Sequence, residues 1–170
     1  MRVRARNRAD LDDCVRLAHA VHALDGYPPH LPGDLRSFMA APDALAAWVA
    51  ERDGQIIGHV ALHRHSSAAV VAMASEALNR SPERLGVIAR LLVSPQSRRD
   101  GVGRSLLDVA SRDAMARDRW PILDVATHFH AAISLYESCG WMRAGQVVVR
   151  LGDGIELEEL VYLGPRRPAP

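Results

Sequence analysis

The feature of this sequence that most constrains its fold is an apolar strand that passes through a glycine-bearing loop directly into a helix. The strand is Val87 to Val93, and the loop after it holds two glycines and several arginines. Apolar residues then recur at helical spacing: Val102, Leu106, Val109, Ala110 and Ala114. Glycines let the backbone turn with its N–H groups pointing inward, and a helix N-terminus adds roughly half a positive charge. The segment therefore predicts an anion site that a pyrophosphate would satisfy.

Two other phosphate-binding loops fit this segment less well. A nucleoside-triphosphate loop needs a lysine followed by Ser or Thr after its last glycine, but all 21 basic residues of the chain are arginines. A dinucleotide-binding loop needs a third glycine or an alanine at the sixth position, where this chain has Leu106. On spacing alone, a plain glycine turn with solvated arginines stays open as the alternative.

The residues before this segment predict a strand, two helices and a hairpin. Val3 and Ala5 alternate with arginines, and Asp10 resembles the start of a helix that stops before the proline-rich residues 26–32. Asp34 predicts the N-cap of a short second helix through about Ala40. Strands at 48–51 and 56–64 flank an Asp-Gly turn. Residues 66–85 are interpreted as a loop that includes a helical turn or more.

The residues after the segment predict a strand, a helix and a second hairpin. Ile122–Ala126 is the strand, and a helical stripe from Ala132 to Cys139 ends at Gly140. Strands at 147–151 and 155–163 close the pattern, and residues 164–170 are expected to form a flexible tail. The whole pattern predicts a mixed α/β domain with about seven mostly antiparallel strands, a central parallel βαβ unit and about four flanking helices.

Length and composition narrow the class of protein. The chain of 170 residues fits a single domain, assigned to residues 1–163, and a formal net charge of +1 gives no reason to expect a nucleic-acid partner. No stretch approaches the roughly 18 apolar residues of a membrane span, and the opening residues lack an apolar signal core. We therefore expect a cytoplasmic protein with no membrane partner. Cys14 and Cys139 lie far apart and are expected to be buried thiols.

Two motifs, in order along the chain, resemble those of the GNAT-type N-acetyltransferases. Residues 98–103, Arg-Arg-Asp-Gly-Val-Gly, resemble the family's R/Q-x-x-G-x-G/A signature, which also follows an apolar strand. Residues 132–141, Ala-Ile-Ser-Leu-Tyr-Glu-Ser-Cys-Gly-Trp, resemble the family's A-x-x-L-Y-E-x-x-G-F helix end. The resemblance implies a GNAT-like fold and an enzyme that transfers the acetyl group of acetyl-CoA to a primary amine, by direct attack in a ternary complex.

The resemblance also implies where the cofactor, acetyl-CoA, binds. Its pyrophosphate is expected on the loop amides, and its pantetheine is expected to pair like an extra strand with the backbone of Leu91 and Val93. The Val93 N–H would stabilise the negative charge that develops on the thioester oxygen. The implied cofactor-binding residues are Leu91, Val93, Arg98, Arg99, Asp100, Gly101, Val102, Gly103, Arg104 and Ser105.

Acyl transfer to an amine needs a proton for the departing thiolate and a base for the attacking nitrogen. Tyr136 matches the family tyrosine that supplies the proton. The base stays open, because Val87 and Ile88 occupy the strand region where some members carry a carboxylate. The candidates are Glu83, Glu76, His63 and His65, acting directly or through a water chain. The paired histidines have no acidic or cysteine partner at ligand spacing, so no metal is expected.

The loop between the first two helices covers the acceptor site in the family. Tyr27 and His30, together with His63 at the end of the third strand, are therefore the implied acceptor contacts. The acceptor is expected to be a small-molecule or peptide amine, and relatives often pair as homodimers. Two other functions stay open: a non-catalytic acyl-CoA-binding regulatory module, suggested by the missing strand carboxylate, and a transferase that uses a longer acyl-CoA.

Overall fold

Seven strands form one mixed sheet, as the sequence predicts, and their order in the sheet is β1-β2-β3-β4-β5-β7-β6. The computed structural model describes residues 1–29, 33–150 and 154–165. The strands are β1 (Arg2–Ala5), β2 (Ala44–Arg52), β3 (Gln55–His63), β4 (Leu85–Val93), β5 (Trp120–Ala126), β6 (Met142–Arg150) and β7 (Glu156–Leu163). The helices are α1 (Leu11–Asp25), α2 (Leu35–Ala40), α3 (Ala68–Leu78), α4 (Val102–Ala116) and α5 (His130–Ser138). No helix in this described part has the length and apolar content to cross a bilayer.

The chain forms two compact units, of which the first comprises Met1–Leu62 and Arg90–Ala110. In this unit β1 pairs antiparallel with β2, and α1 ends where Gly26, with φ of 71°, donates its N–H to His22 O at 2.8 Å. The apolar sides of α1 and α2 pack with strand residues, because their buried positions recur at helical spacing. This core consists of Cys14, Leu17, Ala18, Val21, Leu35, Met39, Val49 and Leu92.

The second unit comprises His63–Ala89 and Ser111–Pro170. Leu85–Val87 pairs parallel with Trp120–Ile122, and this is the central parallel pair that the sequence predicts. β7 then pairs antiparallel with both β5 and β6. The core of the unit is formed by one face of these strands and by α3: Val70, Ala74, Leu85, Val87, Ile122, Val161 and Leu163.

Residues 66–85 are more helical than the sequence prediction. The Ser67 hydroxyl accepts a hydrogen bond from Val70 N–H at 3.3 Å and begins α3, an 11-residue helix that ends at Asn79 with φ of 49°. Val70 and Ala74, four residues apart, are fully buried, so the alanine-rich segment is held by packing against the sheet. The described residues contain five α-helices, one more than expected.

The first helix, α1, starts directly after Asp10, as the sequence predicts, but the Asp10 side chain makes no capping hydrogen bond there. A 3-10 turn precedes α1, and the Asn7 side chain caps it by accepting from the N–H groups of Ala9 and Asp10. The Asp10 carboxylate accepts from Asn7 N–H at 2.7 Å and from the Arg4 guanidinium at 2.8 Å. β6 begins at Met142, five residues earlier than predicted.

Candidate functional site

The loop that leads into α4 turns its backbone twice through the left-handed region. Arg99 has a φ of 67° and Gly101 a φ of 78°, and α4 begins at Val102. The hydrogen bond from Ser105 N–H to Gly101 O, at 3.0 Å, closes the first helical turn. The amides of Val102 and Gly103 precede that bond and have no intrahelical acceptor. Amides in such a turn at a helix N-terminus form a concave surface suited to an anion.

The start of α4 packs directly on β3 because Gly58 has no side chain. A methyl group on Gly58 would lie 2.8 Å from Leu106 Cδ1, 2.9 Å from Val102 Cγ1 and 3.2 Å from Leu92 O. These distances are shorter than carbon–carbon van der Waals contact. Gly58 therefore sets how closely the first turn of α4 approaches the sheet. That turn carries the Val102 and Gly103 N–H groups that have no intrahelical acceptor.

Two ion pairs hold the loop within the first unit. The Arg98 guanidinium donates to both carboxylate oxygens of Asp25 at the end of α1, with Nη1 and Oδ1 3.0 Å apart. Asp100 accepts from Arg52 Nη1 at 2.9 Å. The sequence predicts that Arg98 contacts the bound anion, but in this structure its guanidinium forms an ion pair with the Asp25 carboxylate instead. Arg99 and Arg104 are exposed, and Ser105 is partly buried.

The end of β4 leads to this loop and carries Leu91 and Val93, both partly buried. Ser94 N–H donates to Ile57 O at 2.8 Å, which fixes the strand end against β3. Arg90 has a φ of 55°, a left-handed conformation that non-glycine residues rarely adopt within a strand. The strand is therefore irregular immediately before the two residues predicted to bind pantetheine.

Tyr136 lies on α5 in an aromatic cluster of the second unit. Its ring centroid is 6.0 Å from that of Tyr162 and 6.3 Å from that of Trp141, and its side chain is nearly fully buried. The Tyr162 hydroxyl donates to Glu137 Oε1 at 2.9 Å. Packing against two rings restricts the Tyr136 rotamer, as a proton donor that must act at a fixed position requires.

The second unit also contains two carboxylates that the sequence analysis missed. In the β5–β7 register Asp124 is opposite Val161 and Ala126 is opposite Glu159. Asp124 and Glu159 are therefore diagonal neighbours on one face of the sheet, and their side chains hydrogen-bond to each other. The Ser66 hydroxyl donates to Asp124 Oδ1 at 3.0 Å. The available signal was an aspartate inside the otherwise apolar strand β5, but its partner lies 35 residues away and is given only by the register.

Burial raises the proton affinity of both carboxylates. It raises the pKa of Asp124, against the hydrogen bonds from Ser66 and Glu159, which lower it. Burial, followed by the charge of Asp124, raises the pKa of Glu159 to about 8, so Glu159 is mainly protonated at neutral pH. Perturbed carboxylates of this kind are concentrated at functional sites.

The bases predicted from the sequence lie in different surroundings. Glu76, on α3, and Glu83, in the 3-10 turn before β4, are both exposed. A hydrogen bond from Ser81 lowers the pKa of Glu83, and His63 ends β3 in a partly buried position. Neither glutamate has the burial that raises a carboxylate pKa, so the Asp124–Glu159 pair is the stronger candidate for a base.

The acceptor contacts predicted from the sequence are only partly described. Tyr27 packs against the core of α1 and α2, whereas His30 lies outside the described residues. Among the residues that the structure does describe, no three His, Cys, Asp or Glu side chains are grouped so that they could hold a metal ion.

We compared the chain with known protein families and with proteins of known structure. Residues 13–141 match the acetyltransferase (GNAT) family. No protein with a curated description matches the sequence.

Solved structures of several N-acetyltransferases share the fold. A ribosomal-protein-alanine N-acetyltransferase from Brucella melitensis is 20% identical with a TM-score of 0.66, and the match covers 96% of this chain and 98% of the other. The ribosomal-protein-S18-alanine N-acetyltransferase from Escherichia coli is 19% identical with a TM-score of 0.66, covering 99% and 96%. An aminoglycoside 6'-N-acetyltransferase complexed with coenzyme A is 14% identical with a TM-score of 0.65, covering 100% and 99%.

Proposed function

This chain belongs to the acetyltransferase (GNAT) family, and on that premise we propose that it transfers the acetyl group of acetyl-CoA to a primary amine by direct attack in a ternary complex. Family membership makes it an acetyl-CoA-dependent acyltransferase. The observation that supports the finer proposal is the loop before α4, where Arg99 and Gly101 adopt left-handed backbone conformations directly before the helix start, a position suited to an anion.

The residues of the loop fit a coenzyme A diphosphate. The left-handed turns give the concave amide surface, and Gly58 allows the first turn of α4 to lie close to the sheet. The amides from Arg98 to Arg104 would hold the diphosphate, and the backbone of Leu91 and Val93 would hold the pantetheine. When bound, acetyl-CoA supplies an activated acyl group and a thiolate leaving group.

Three groups of this chain would then act on the reaction. Val93 N–H donates to the thioester oxygen, where negative charge develops on attack. The Tyr136 hydroxyl donates its proton to the departing sulfur, and the Asp124–Glu159 pair accepts the proton that the amine loses.

The strand alternation separates the acid and the base of this scheme. Glu159 and Val161 lie on one face of β7, and Tyr162, which contacts Tyr136, lies on the other.

The acceptor, the location and the assembly state belong to the proposal. The N-acetyltransferases of similar fold carry names that include a ribosomal-protein alanine and an aminoglycoside, so both a peptide amine and a small-molecule amine stay in the proposed class. The cytoplasmic location and the homodimer remain predictions from the sequence, as does a single domain over residues 1–163.

The proposal is tested with acetyl-CoA and a panel of amines, following release of the free thiol. We expect turnover, and we expect Tyr136→Phe to lower kcat by about 100-fold or more with unchanged affinity for acetyl-CoA in calorimetry. Tyr162→Phe is the matched control, because it removes a buried hydroxyl from the same aromatic cluster and should leave kcat near the unaltered value. Binding of acetyl-CoA without turnover of any amine would favour the regulatory module, and faster turnover of propionyl- or succinyl-CoA would favour a longer acyl donor.

A further inference from the structure

The first unit contains a buried arginine nitrogen that nothing in the proposed reaction uses. Arg90 Nη1 is buried and has no hydrogen-bond partner among the described residues. The guanidinium lies over the ring of Phe38 from α2, with Cζ 4.3 Å from the ring centroid. An unsatisfied buried polar group costs about 1–3 kcal/mol, and more if charged, so such a group requires a physical explanation.

The charges around Arg90 do not neutralise it. Arg6, the other partly buried arginine nearby, donates to the carbonyl oxygens of Met39 and Ala40 rather than to a carboxylate. Asp10, a buried acid of this unit, already accepts from Nη1 and Nη2 of Arg4, each at 2.8 Å. Asp43, which attracts Arg90 electrostatically, is exposed. Burial accordingly lowers the pKa of both Arg6 and Arg90.

His59 holds this arrangement in place without adding positive charge. It is fully buried, with Nδ1 3.0 Å from Arg90 O and Nε2 3.3 Å from Arg6 Nη1. A carbonyl oxygen can only accept and an arginine N–H can only donate, so Nδ1 carries the hydrogen and Nε2 accepts. The neutral imidazole therefore fixes the backbone at Arg90, where φ is 55°, and the head of Arg6.

The surroundings of the Arg90 head point to the acceptor side of the proposed reaction. Phe38 covers one face of the guanidinium, and Tyr27, from the segment after α1, interacts with it electrostatically. Nη1 lies within the unit without a hydrogen-bond acceptor among the described residues. Arg90 is also on β4, three residues before Val93, whose N–H is proposed to contact the thioester.

We infer that Arg90 binds a carboxylate on the acceptor, so that the acceptor class is an amine that also carries a carboxylate, as a free amino acid does. This inference rests on the proposed acetyltransferase function and narrows it. A planar carboxylate matches the fork of a guanidinium through two parallel N–H···O bonds. A doubly charged phosphate fits less well, because the Arg6 donors that could share its charge are bound to main-chain carbonyls.

The experiment compares amino acids with their C-terminal primary amides as acceptors, with acetyl-CoA as donor and thiol release as readout. We expect the KM of each accepted amino acid to be at least 10-fold lower than that of its amide. Arg90→Met should remove this difference by raising the KM of the acid alone, with unchanged acetyl-CoA affinity. Arg36→Met, which removes an exposed arginine from the same helix as Phe38, is the control and should preserve the difference.

Two further measurements separate this role from a structural one and from failure of the proposed function. If Arg90 only stabilises the fold, Arg90→Met lowers the Tm and slows acid and amide equally, which overturns the inference. Equal use of acids and amides, or a preference for phosphoethanolamine, overturns it while leaving the acetyltransferase proposal intact. If no amine is turned over, calorimetry with N-acetyl amino acids and their amides decides: selective binding of the acids that is lost in Arg90→Met supports the subsite, and its absence contradicts it.

Discussion

At the scale of single residues, the second unit holds two carboxylates that cannot both be ionised at neutral pH without a cost. Asp124 is fixed by the Ser66 hydroxyl, and Glu159 reaches it diagonally across the β5–β7 ladder. Burial and the charge of Asp124 raise the pKa of Glu159 to about 8, so the proton on Glu159 leaves near that pH. Once both carboxylates are ionised, the pair can accept a proton from the attacking amine at mildly alkaline pH.

The first prediction concerns the pH dependence of the reaction. In the unaltered protein kcat/KM should rise as the pH rises through about 8, because the ionised pair is the base. Glu159→Gln should remove this inflection and lower kcat/KM by about 100-fold, since the variant lacks the carboxylate whose pKa is raised to about 8 by burial and by the charge of Asp124. Thiol-release rates between pH 6 and pH 10 measure the effect. An inflection near pH 8 that persists in the variant would assign it to the acceptor amine and exclude the pair as base.

The second prediction concerns stability and follows from the same residue. Folded Glu159 binds its proton more tightly than an ordinary glutamate with a pKa of 4.5, so between pH 4.5 and about 8 the folded state holds more protons than the unfolded state. The free energy of unfolding contributed by this group therefore falls as the pH rises through that window. Glu159→Gln should be more stable than the unaltered protein at pH 9 and equally stable at pH 4.

Urea denaturation at the two pH values measures this difference. Glu158→Gln is the matched control, because Glu158 is the exposed neighbour on the same strand. Parallel stability curves for the Glu159 variant and the unaltered protein would show that Glu159 is not perturbed by folding.

At the scale of elements, the sequence predicts those turns and helix ends that depend on neighbouring residues alone. The β2–β3 turn, the Gly26 and Gly140 helix ends and the Asp34 cap all follow from side chains within a few residues of the feature. α3 was interpreted as a loop because its alanines and serines carry no amphipathic contrast, although the Ser67 cap was a usable sign. Its burial through Val70 depends on β5 and β7, which the segment itself does not encode.

The candidate site likewise has one part made of contiguous residues and other parts made of residues that are distant in sequence. The loop before α4 is visible in the sequence because its strand, glycines and helix are contiguous, and its conformation at Gly101 agrees with that prediction. The Asp124–Glu159 pair and the cluster around Arg90 join residues between about 30 and 85 positions apart, so only strand register and helix packing bring them together. Sequence reasoning can therefore propose a site made of contiguous residues, whereas a cluster of side chains from distant segments needs the fold.

The third prediction concerns the contact between β3 and α4. Gly58→Ala places a methyl group 2.8 Å from Leu106 Cδ1 and 2.9 Å from Val102 Cγ1, so the first turn of α4 must move outward. We expect a loss of about 1–3 kcal/mol in the free energy of unfolding and a weaker affinity for acetyl-CoA. Chemical denaturation and calorimetry measure the two effects. Leu106→Ala combined with Gly58→Ala removes one of the two close contacts, and this double variant should recover part of the affinity; no recovery would mean that the helix start does not set the site.

At the scale of the whole molecule, binding and folding are linked because a ligand that binds only the folded state stabilises it. At a concentration about 100 times its Kd, acetyl-CoA should add about 2.7 kcal/mol to the free energy of unfolding. For a chain of this size, 1 kcal/mol corresponds to about 2–4 °C in Tm, so the expected shift is about 5–10 °C. A near-neutral chain with a formal net charge of +1 has no strong general attraction for polyanions, so a shift of this size would report a specific site.

The fourth prediction uses two glycines with the same backbone conformation to locate that site. Gly101 has a φ of 78° in the loop before α4, Gly54 has a φ of 77° in the β2–β3 turn, and neither would bring a methyl group within 4 Å of another atom. Alanine at either position should therefore cost a similar amount of stability, on the order of 1 kcal/mol. Only Gly101→Ala places its strain in the amides proposed to hold the diphosphate, so it should lose half or more of the acetyl-CoA-induced rise in Tm, while Gly54→Ala keeps it. Equal shifts in the two variants, measured by thermal unfolding at one acetyl-CoA concentration, would place the bound anion elsewhere on the chain.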